Sequence, residues 1–353
     1  MMKRQRTTRL IHVGNVPVGG GSPVSIQSMT KTDTRDARAT VRQIKALKRE
    51  GCDIIRAAVP DMEAARALGP IKRGSPIPVI ADIHFDWRLA LEAVRQGVDG
   101  LRINPGNIGA AWKLKEVVLA LKDKAVPIRI GVNAGSLEKG LLARYGRPSA
   151  PALVESALRQ IDLLEKMGHD LIKVSLKASN VPTTVDAYVM FAEKSDYPLH
   201  IGISEAGPPA VGIVKSAVGL GVLLRQGIGD TMRVSLTGNP AQEVRTARLI
   251  LQSLGMGGPG VEIISCPTCG RTTIDIQRLA SRVERRLRGV KKPLRVAVMG
   301  CVVNGPGEAR EADFGVTGSK GKGILFKQGK VLRTVREEKL LDELMKEIGR
   351  WRP

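Results

Sequence analysis

Aromatic side chains are scarce in this 353-residue chain: three Trp, three Tyr and four Phe make up 3% of it. So few flat faces make a poor platform for stacking single-stranded bases. Cysteine is scarcer still, with four residues (Cys52, Cys266, Cys269, Cys301), too few and too clustered for a disulfide scaffold. No His follows His200. Long apolar runs are missing as well. The uncharged stretch Val13–Thr30 has Gly or Pro at five of its first nine positions, which excludes a membrane span. The N-terminus is a short basic tail, Met1–Arg9, without the apolar core of a secretory signal, so a cytoplasmic location is expected.

Acidic residues are also in deficit. Asp and Glu number 34 against 56 Lys and Arg, a net charge of +22. Such a balance first suggests nucleic acid. The basic residues are spread along the chain, however, many of them on helical patterns as solvated faces. A basic surface equally attracts an acidic protein or a phosphorylated substrate. We expect one of those, and neither nucleic acid nor a membrane.

Short β-branched runs recur, each followed by a helical pattern. Strands are predicted at 23–28, 53–59, 78–83, 100–103, 127–132, 171–176, 199–204 and 232–236. The spacing leaves room each time for a crossover helix, and the runs are apolar on both faces, as buried parallel strands are. Helices are predicted near 34–50, 61–69, 86–97, 108–124, 151–168, 183–195, 209–227 and 240–255. The last opens on Asn239 as N-cap, Pro240 at the first helical position and Gln242 for a capping box. Eight βα units in residues 1–255 predict a (β/α)8 barrel of the TIM type. An open doubly wound sheet is the alternative, but no glycine fingerprint follows the first strand. The match Gly255-Met-Gly-Gly-Pro-Gly260 follows a helix and contains Pro, so residues 256–260 are read as a linker. Residues 261–353 then form a small α+β domain: strands at 261–265 and 294–299 around a basic helix 274–287, short strands near 314–316, 323–326 and 331–334, and a last helix 337–348. Gly318-Ser-Lys-Gly-Lys-Gly323 lacks the spacing of a phosphate-binding loop and is read as a flexible basic loop.

Working residues of such barrels stand at the C-terminal ends of the strands. Here those ends carry Arg56, Arg102, Arg129, Lys173, Lys177 and Arg233. One cation in a strand would be explained by a neighbouring carboxylate. Cations on five strands point to a substrate with more than one phosphate, since guanidinium groups hold phosphate oxygens bidentately. Asn104, Asn133, Ser175, Ser235 and Thr237 offer neutral hydrogen bonds. Glu205 is a lone carboxylate at the end of the seventh strand, read either as an ion-pair partner or as an acid, base or carbocation-stabilising group. Asp82 and His84 end the third strand, where substrate contact and structural hydrogen bonding are both open. Cys52 reads as a small buried residue.

The remaining cysteines differ. Cys266-Pro-Thr-Cys269 follows one strand and Cys301 follows the next, so three thiolates can surround one metal centre. Zinc would want a fourth Cys or His. A redox dithiol would not need Cys301. An iron–sulfur cluster fits three Cys, with Glu308 as a candidate fourth ligand. Zinc, a dithiol and inert cysteines stay open on spacing alone.

The segments Arg102-Ile-Asn-Pro-Gly-Asn107, Arg129-Ile-Gly-Val-Asn133, Ser204-Glu-Ala-Gly207, Cys266-Pro-Thr-Cys-Gly-Arg271 and Cys301-Val-Val-Asn-Gly-Pro-Gly-Glu308 resemble those of the 4-hydroxy-3-methylbut-2-enyl diphosphate synthases of the non-mevalonate isoprenoid route, in their short bacterial form. The resemblance covers nearly the whole chain. It implies a [4Fe–4S] cluster on Cys266, Cys269, Cys301 and Glu308. It also implies reductive opening of 2-C-methyl-D-erythritol 2,4-cyclodiphosphate with loss of water, and an acidic flavodoxin or ferredoxin as electron donor. Arg271 and Asn304, inside the same motifs, join the expected substrate contacts, and Glu205 and Glu308 the expected catalytic groups. Two other classes stay open: a basic RNA-binding protein with a zinc-stabilised tail, and a redox-inert phosphosugar lyase. Chain geometry adds a head-to-tail homodimer. The last barrel helix runs down from the cation-rich face, and the six residues Gly255–Gly260 reach at most about 20 Å, so another subunit's barrel is easier to serve than the chain's own. The resemblance implies the same arrangement.

Overall fold

The computed structural model describes residues 5–103, 108, 110–122, 124–258, 260–272, 274–290, 292–301, 309–319 and 321–351. The chain divides into two compact units, Met1–Met256 and Gly257–Pro353.

The first unit opens with a hairpin, β1 (Ile11–Val13) and β2 (Val16–Val18). Eight parallel strands follow: β3 (Ser25–Met29), β4 (Ile54–Ala58), β5 (Val79–Asp82), β6 (Gly100–Ile103), β7 (Ile128–Asn133), β8 (Ile172–Lys177), β9 (His200–Ile201) and β10 (Thr231–Met232). They pair in the order β8-β7-β6-β5-β4-β3-β10-β9. A parallel bridge between Val174 and Leu199 brings the two edges together, with Val174 N–H donating to the Pro198 carbonyl at 2.9 Å. The sheet is therefore a nearly closed TIM-type barrel. The crossover helices are α1 (Ala37–Glu50), α2 (Met62–Gly74), α3 (Trp87–Arg95), α4 (Ala111–Lys122), α5 (Lys139–Tyr145), α6 (Ala150–Lys166), α7 (Val181–Ala192), α8 (Pro209–Arg225) and α9 (Pro240–Ser253).

Local chemistry accounts for most of these bounds. Asp36, Asp61, Asp86, Asn180 and Asn239 accept backbone N–H bonds at the starts of their helices, satisfying donors the helix leaves free. The expected stop before Pro70 does not occur. Helix α2 runs on to Gly74, because Leu68 and Ile71 on either side of the proline are both fully buried in the core. Strands β9 and β10 are much shorter than the predicted 199–204 and 232–236; beyond Ile201 and Met232 the chain leaves the ladder. Hairpin β1–β2 packs Ile11, Val13 and Val18 on Ile54 and Ile80, at the N-terminal end of the barrel. That end is plugged, so a ligand has the C-terminal end of the strands. Among the described residues no helix is long and apolar enough to cross a membrane.

The second unit is a five-stranded sheet in the order β11-β12-β13-β14-β15. Its strands are β11 (Val261–Ser265), β12 (Leu294–Met299), β13 (Phe314–Ser319), β14 (Lys322–Lys327) and β15 (Lys330–Arg336), with helices α10 (Ile276–Leu287) and α11 (Leu340–Arg350). The first three strands are parallel and the rest antiparallel. Val283, Leu287, Phe314, Leu325 and Leu344 lie in the core of this unit. The segment 318–323 is not the flexible loop expected. Gly318 pairs with Gly323 and Ser319 with Lys322 across a tight hairpin. Glycine is required there because a Cβ at Gly318 would strike Ile274 and one at Gly323 would strike Leu340.

Candidate functional site

Period-two alternation sets the barrel site. On β7, Arg129, Gly131 and Asn133 share one face; on β8, Lys173, Ser175 and Lys177 do. Strand pairing puts Asp82, Arg102, Arg129 and Lys173 side by side on four neighbouring strands, with Asn133 beside Lys177 further towards the C-terminal end. Glycine at 131 and 202 makes room: a Cβ would lie 2.6 Å from Arg102 Nε at the first and 2.7 Å from Lys177 Nζ at the second.

These side chains surround a cavity of about 340 Å³. Arg56, Arg102, Arg129, Lys177 and Arg233 line it, as do the predicted neutral groups Asn133 and Ser235 and the carboxylate Glu205. Asp82, His84 and Ser204 complete the wall. Two predicted residues are not in that wall. Lys173 is 1% exposed and lies in the barrel interior. Ser175 is also buried and accepts a hydrogen bond from Arg129 Nη1 at 3.1 Å while donating to the Ile130 carbonyl. Both sit nearer the N-terminal end of β8 than Lys177, too deep to reach the cavity. Asn104, Asn304 and Glu308 fall outside the described residues.

Two buried carboxylates organise the cations. Asp82 lies 3.4 Å from Arg56 Nε and 3.2 Å from Arg102 Nη1, with His84 Nε2 at 3.6 Å. Burial pushes its carboxyl up, but Arg56, His84 and Arg102 outweigh this and hold it well below the usual carboxylate range. Glu243, in the first turn of α9, lies 3.4 Å from Arg233 and 3.2 Å from Lys31, and accepts from Leu236 N–H. Neither Arg129, Lys173 nor Lys177 has an ion-pair partner among the described residues. Burial, then Arg56 and Arg102, depress Arg129 far below its ordinary value. Burial, then Arg129 and Arg233, do the same to Lys177. Lys173 is lowered to about 7 by burial, Arg129 and Arg56. Among the described residues, the Nε groups of Arg102, Arg129 and Arg233 and the Nζ of Lys173 are buried without a hydrogen-bond acceptor, and Arg56 Nε has only its ion pair with Asp82. Five basic side chains thus line the cavity with two carboxylates, Asp82 and Glu205, an excess that a multiply charged anion would offset.

Glu205 makes no ion pair among the described residues. It sits exposed in a turn with φ of 51°, a left-handed conformation that costs a non-glycine residue about 1–2 kcal/mol. His169 and His200 are buried away from the cavity wall, His200 Nδ1 lying 3.4 Å from Thr231 Oγ1. Cys52 donates to the Ile54 carbonyl at 3.1 Å, and burial pushes its thiol up to about 12; it is structural.

In the second unit, parallel pairing of β11 and β12 delivers both cysteine loops to one edge of the sheet. Cys266, Cys269 and Cys301 line a single cavity of about 110 Å³ together with Arg271, Thr272 and Gly300. Gly300 N–H donates to Cys266 Sγ at 3.2 Å, the kind of bond that stabilises a ligating thiolate. None of the three is joined in a disulfide among the described residues. Among the described residues no group of three His, Cys, Asp or Glu is closed up as ligands for one ion. The three thiols stand on the walls of their shared cavity, a thiol-rich donor set of the kind that would hold an iron–sulfur cluster.

Glu243 was not anticipated from the sequence, although an acid in the first turn of a helix following a strand Arg is a usable signal. Ser204 carried no signal beyond its place next to Glu205.

Fold and sites define a class: a TIM barrel with a cation-walled cavity at the C-terminal ends of its strands, joined to a second unit with three cysteines on one cavity. The matches to known proteins narrow it. Residues 8–248 match the GcpE TIM-barrel domain and residues 262–350 the GcpE protein C-terminal domain. The chain belongs to the GcpE family. It is 59% identical to the 4-hydroxy-3-methylbut-2-en-1-yl diphosphate synthase (flavodoxin) of Thermodesulfovibrio yellowstonii, over 98% of this chain and 99% of that one. It is 61% identical to the protein of the same name from Geobacter sulfurreducens, over 97% of each. Among solved structures, the Yersinia pestis dihydropteroate synthase aligns with a TM-score of 0.52 at 10% identity, over 70% of this chain and 98% of that one. The 3-dehydroquinate dehydratase of Geobacillus kaustophilus aligns with 0.51 at 16%, over 70% and 99%. These two likenesses concern the barrel fold alone.

Proposed function

We propose that this chain is an iron–sulfur oxidoreductase that opens 2-C-methyl-D-erythritol 2,4-cyclodiphosphate reductively and eliminates water, giving 4-hydroxy-3-methylbut-2-enyl diphosphate. Two electrons and two protons enter, one ring C–O bond to phosphate breaks, and one oxygen leaves as water. The observation that carries this reading is the excess of cations over carboxylates around the barrel cavity. A cyclic diphosphate brings two fixed negative charges to it. The RNA-binding and redox-inert alternatives find no support in relatives that are named as flavodoxin-dependent diphosphate synthases.

Each residue has a part. Arg56, Arg102, Arg129, Lys177 and Arg233 hold the diphosphate. Asp82 and Glu243 keep the first two and the last of these in place, and Ser175 orients Arg129. Asn133 and Ser235 donate or accept at the polar carbon skeleton, and Asn104, Asn304 and Arg271 join them by resemblance. Glu205, at the cavity rim and without an ion pair among the described residues, is the acid–base group. Cys266, Cys269 and Cys301 are the thiolate ligands of a [4Fe–4S] cluster, with Glu308 as the fourth ligand by resemblance. When bound, the cluster supplies the electrons singly. A flavodoxin is the donor, and its acidic surface suits a chain of net charge +22. The cytoplasmic location and the head-to-tail homodimer belong to the same proposal. The dimer is tested by mixing inactive Arg129→Ala and Cys301→Ser chains under subunit exchange: returning activity supports it, and exchange without activity refutes it.

The substrate assignment is tested by calorimetric binding of the cyclodiphosphate to wild type and Arg129→Ala. A loss of roughly 2–5 kcal/mol is expected in the variant, the scale for a buried charge losing its partner. Equal affinities would show that the cavity is not the diphosphate site.

A further inference from the structure

One buried basic side chain takes no part in holding the diphosphate. Lys173 does not line the cavity, yet it sits beside Arg129 in the strand pairing and is 1% exposed, with no acceptor for its Nζ among the described residues. Among the described residues, the charged side chains that act on it are Arg129 from β7 and Arg56 from β4. The buried His200 of β9 lies in the field of Lys173 and Lys177 alike, and the buried Tyr188 of α7 in that of Arg129. A lysine in such a place has nothing to hold a proton while the cavity is empty. An isolated charge in the protein interior is costly, and a lysine sheds it by deprotonating, which an arginine does not.

We infer that Lys173 is neutral in the empty barrel and takes up a proton when a diphosphate enters the cavity, so that substrate binding and protonation of this residue are coupled. Lys173 acts through Arg129 and the general field of the cavity, and is a positioning residue, touching no substrate atom. The coupling follows from charge balance. Two negative charges placed beside Arg56 and Arg129 relieve the repulsion that keeps a proton off Lys173; Lys177, depressed in the same way, shares in the uptake but is common to the two proteins compared below. Its direction agrees with the lowering of Lys173 to about 7 in the free protein. The inference rests on the proposed diphosphate substrate. The cyclodiphosphate is a useful probe because each of its phosphorus atoms carries a single, strongly acidic hydroxyl. Any proton taken up near pH 8 therefore goes to the protein.

The experiment is titration calorimetry of 2-C-methyl-D-erythritol 2,4-cyclodiphosphate into the full chain at pH 8, in two buffers of different ionisation enthalpy. The buffer dependence of the heat counts protons. Wild type is expected to take up more than Lys173→Met by up to about 0.9 proton per site, the change for a lysine moving from near 7 to its ordinary value. Its affinity should also weaken as pH rises above 7, by up to about tenfold per pH unit for each proton coupled, and less steeply in the variant. Equal uptake in wild type and Lys173→Met would overturn the inference while leaving the diphosphate site standing. Failure of the ligand to bind wild type at all would overturn the site assignment itself. If Lys173→Met does not fold, Lys173→Arg replaces it. A permanently charged side chain there should reduce the uptake in the same way, and unchanged uptake would again refute the coupling.

Discussion

Asp82 Oδ1 lies 3.2 Å from Nη1 of Arg102, both buried on neighbouring strands, and the same carboxylate faces Arg56 on its other side. One acid thus restrains two of the cations proposed to bind phosphate. Removing it leaves both uncompensated. Asp82→Asn is expected to destabilise the free protein by about 3–5 kcal/mol, the cost of breaking a buried pair from one side. Added cyclodiphosphate should recover part of that loss, so the ligand-induced rise in melting temperature should be larger in Asp82→Asn than in wild type. A variant as stable as wild type without ligand would show that the carboxylate is not needed to hold the arginines.

Lys173 makes a separate prediction about pH and stability in the absence of ligand. Its folded value, about 7, lies below the ordinary lysine value of about 10.4. Between these the unfolded chain binds more protons than the folded one. Stability from this group therefore rises with pH from about 7 to about 10. Denaturant unfolding at several pH values in that window checks it. Lys173→Met should remove the upward contribution, and an unchanged slope would mean the residue keeps its proton in the fold.

Glu205 is expected to act on the chemistry more than on binding, because it lines the cavity without pairing to any of its cations. Glu205→Gln should lower kcat by about 10²–10⁴-fold, the usual scale for a positioned acid or base, with a small change in KM. Steady-state kinetics of the iron-loaded enzyme measure this. A variant with normal kcat would reduce Glu205 to a turn residue.

Much of this was legible in the sequence. Runs such as Ile54-Ile-Arg-Ala-Ala58 announce strands buried on both faces, and eight of them with helices between announce a barrel. Hairpin β1–β2 was not legible, because Gly14, Pro17 and Gly19–Gly21 read as loop. Nor was helix α5, a short segment holding Gly140. Strand alternation places Lys173 and Lys177 on one face, but it says nothing of depth; only the closed barrel shows that the first is beneath the cavity and the second in its wall. The arginines were legible as a set, while the acid that restrains Arg233 was not, since Glu243 reaches it from the following helix. The three cysteines announce a shared centre by spacing, and parallel pairing of β11 and β12 supplies the reason they meet.

The central claim is tested most directly by turnover under anaerobic conditions. Protein reconstituted with iron and sulfide is given 2-C-methyl-D-erythritol 2,4-cyclodiphosphate and reduced flavodoxin, and products are followed by phosphorus NMR. The expected result is 4-hydroxy-3-methylbut-2-enyl diphosphate, formed with two electrons consumed per molecule, and abolished in Cys301→Ser. Iron-loaded protein that leaves the cyclodiphosphate intact, or protein that consumes it without any reductant, would contradict the account.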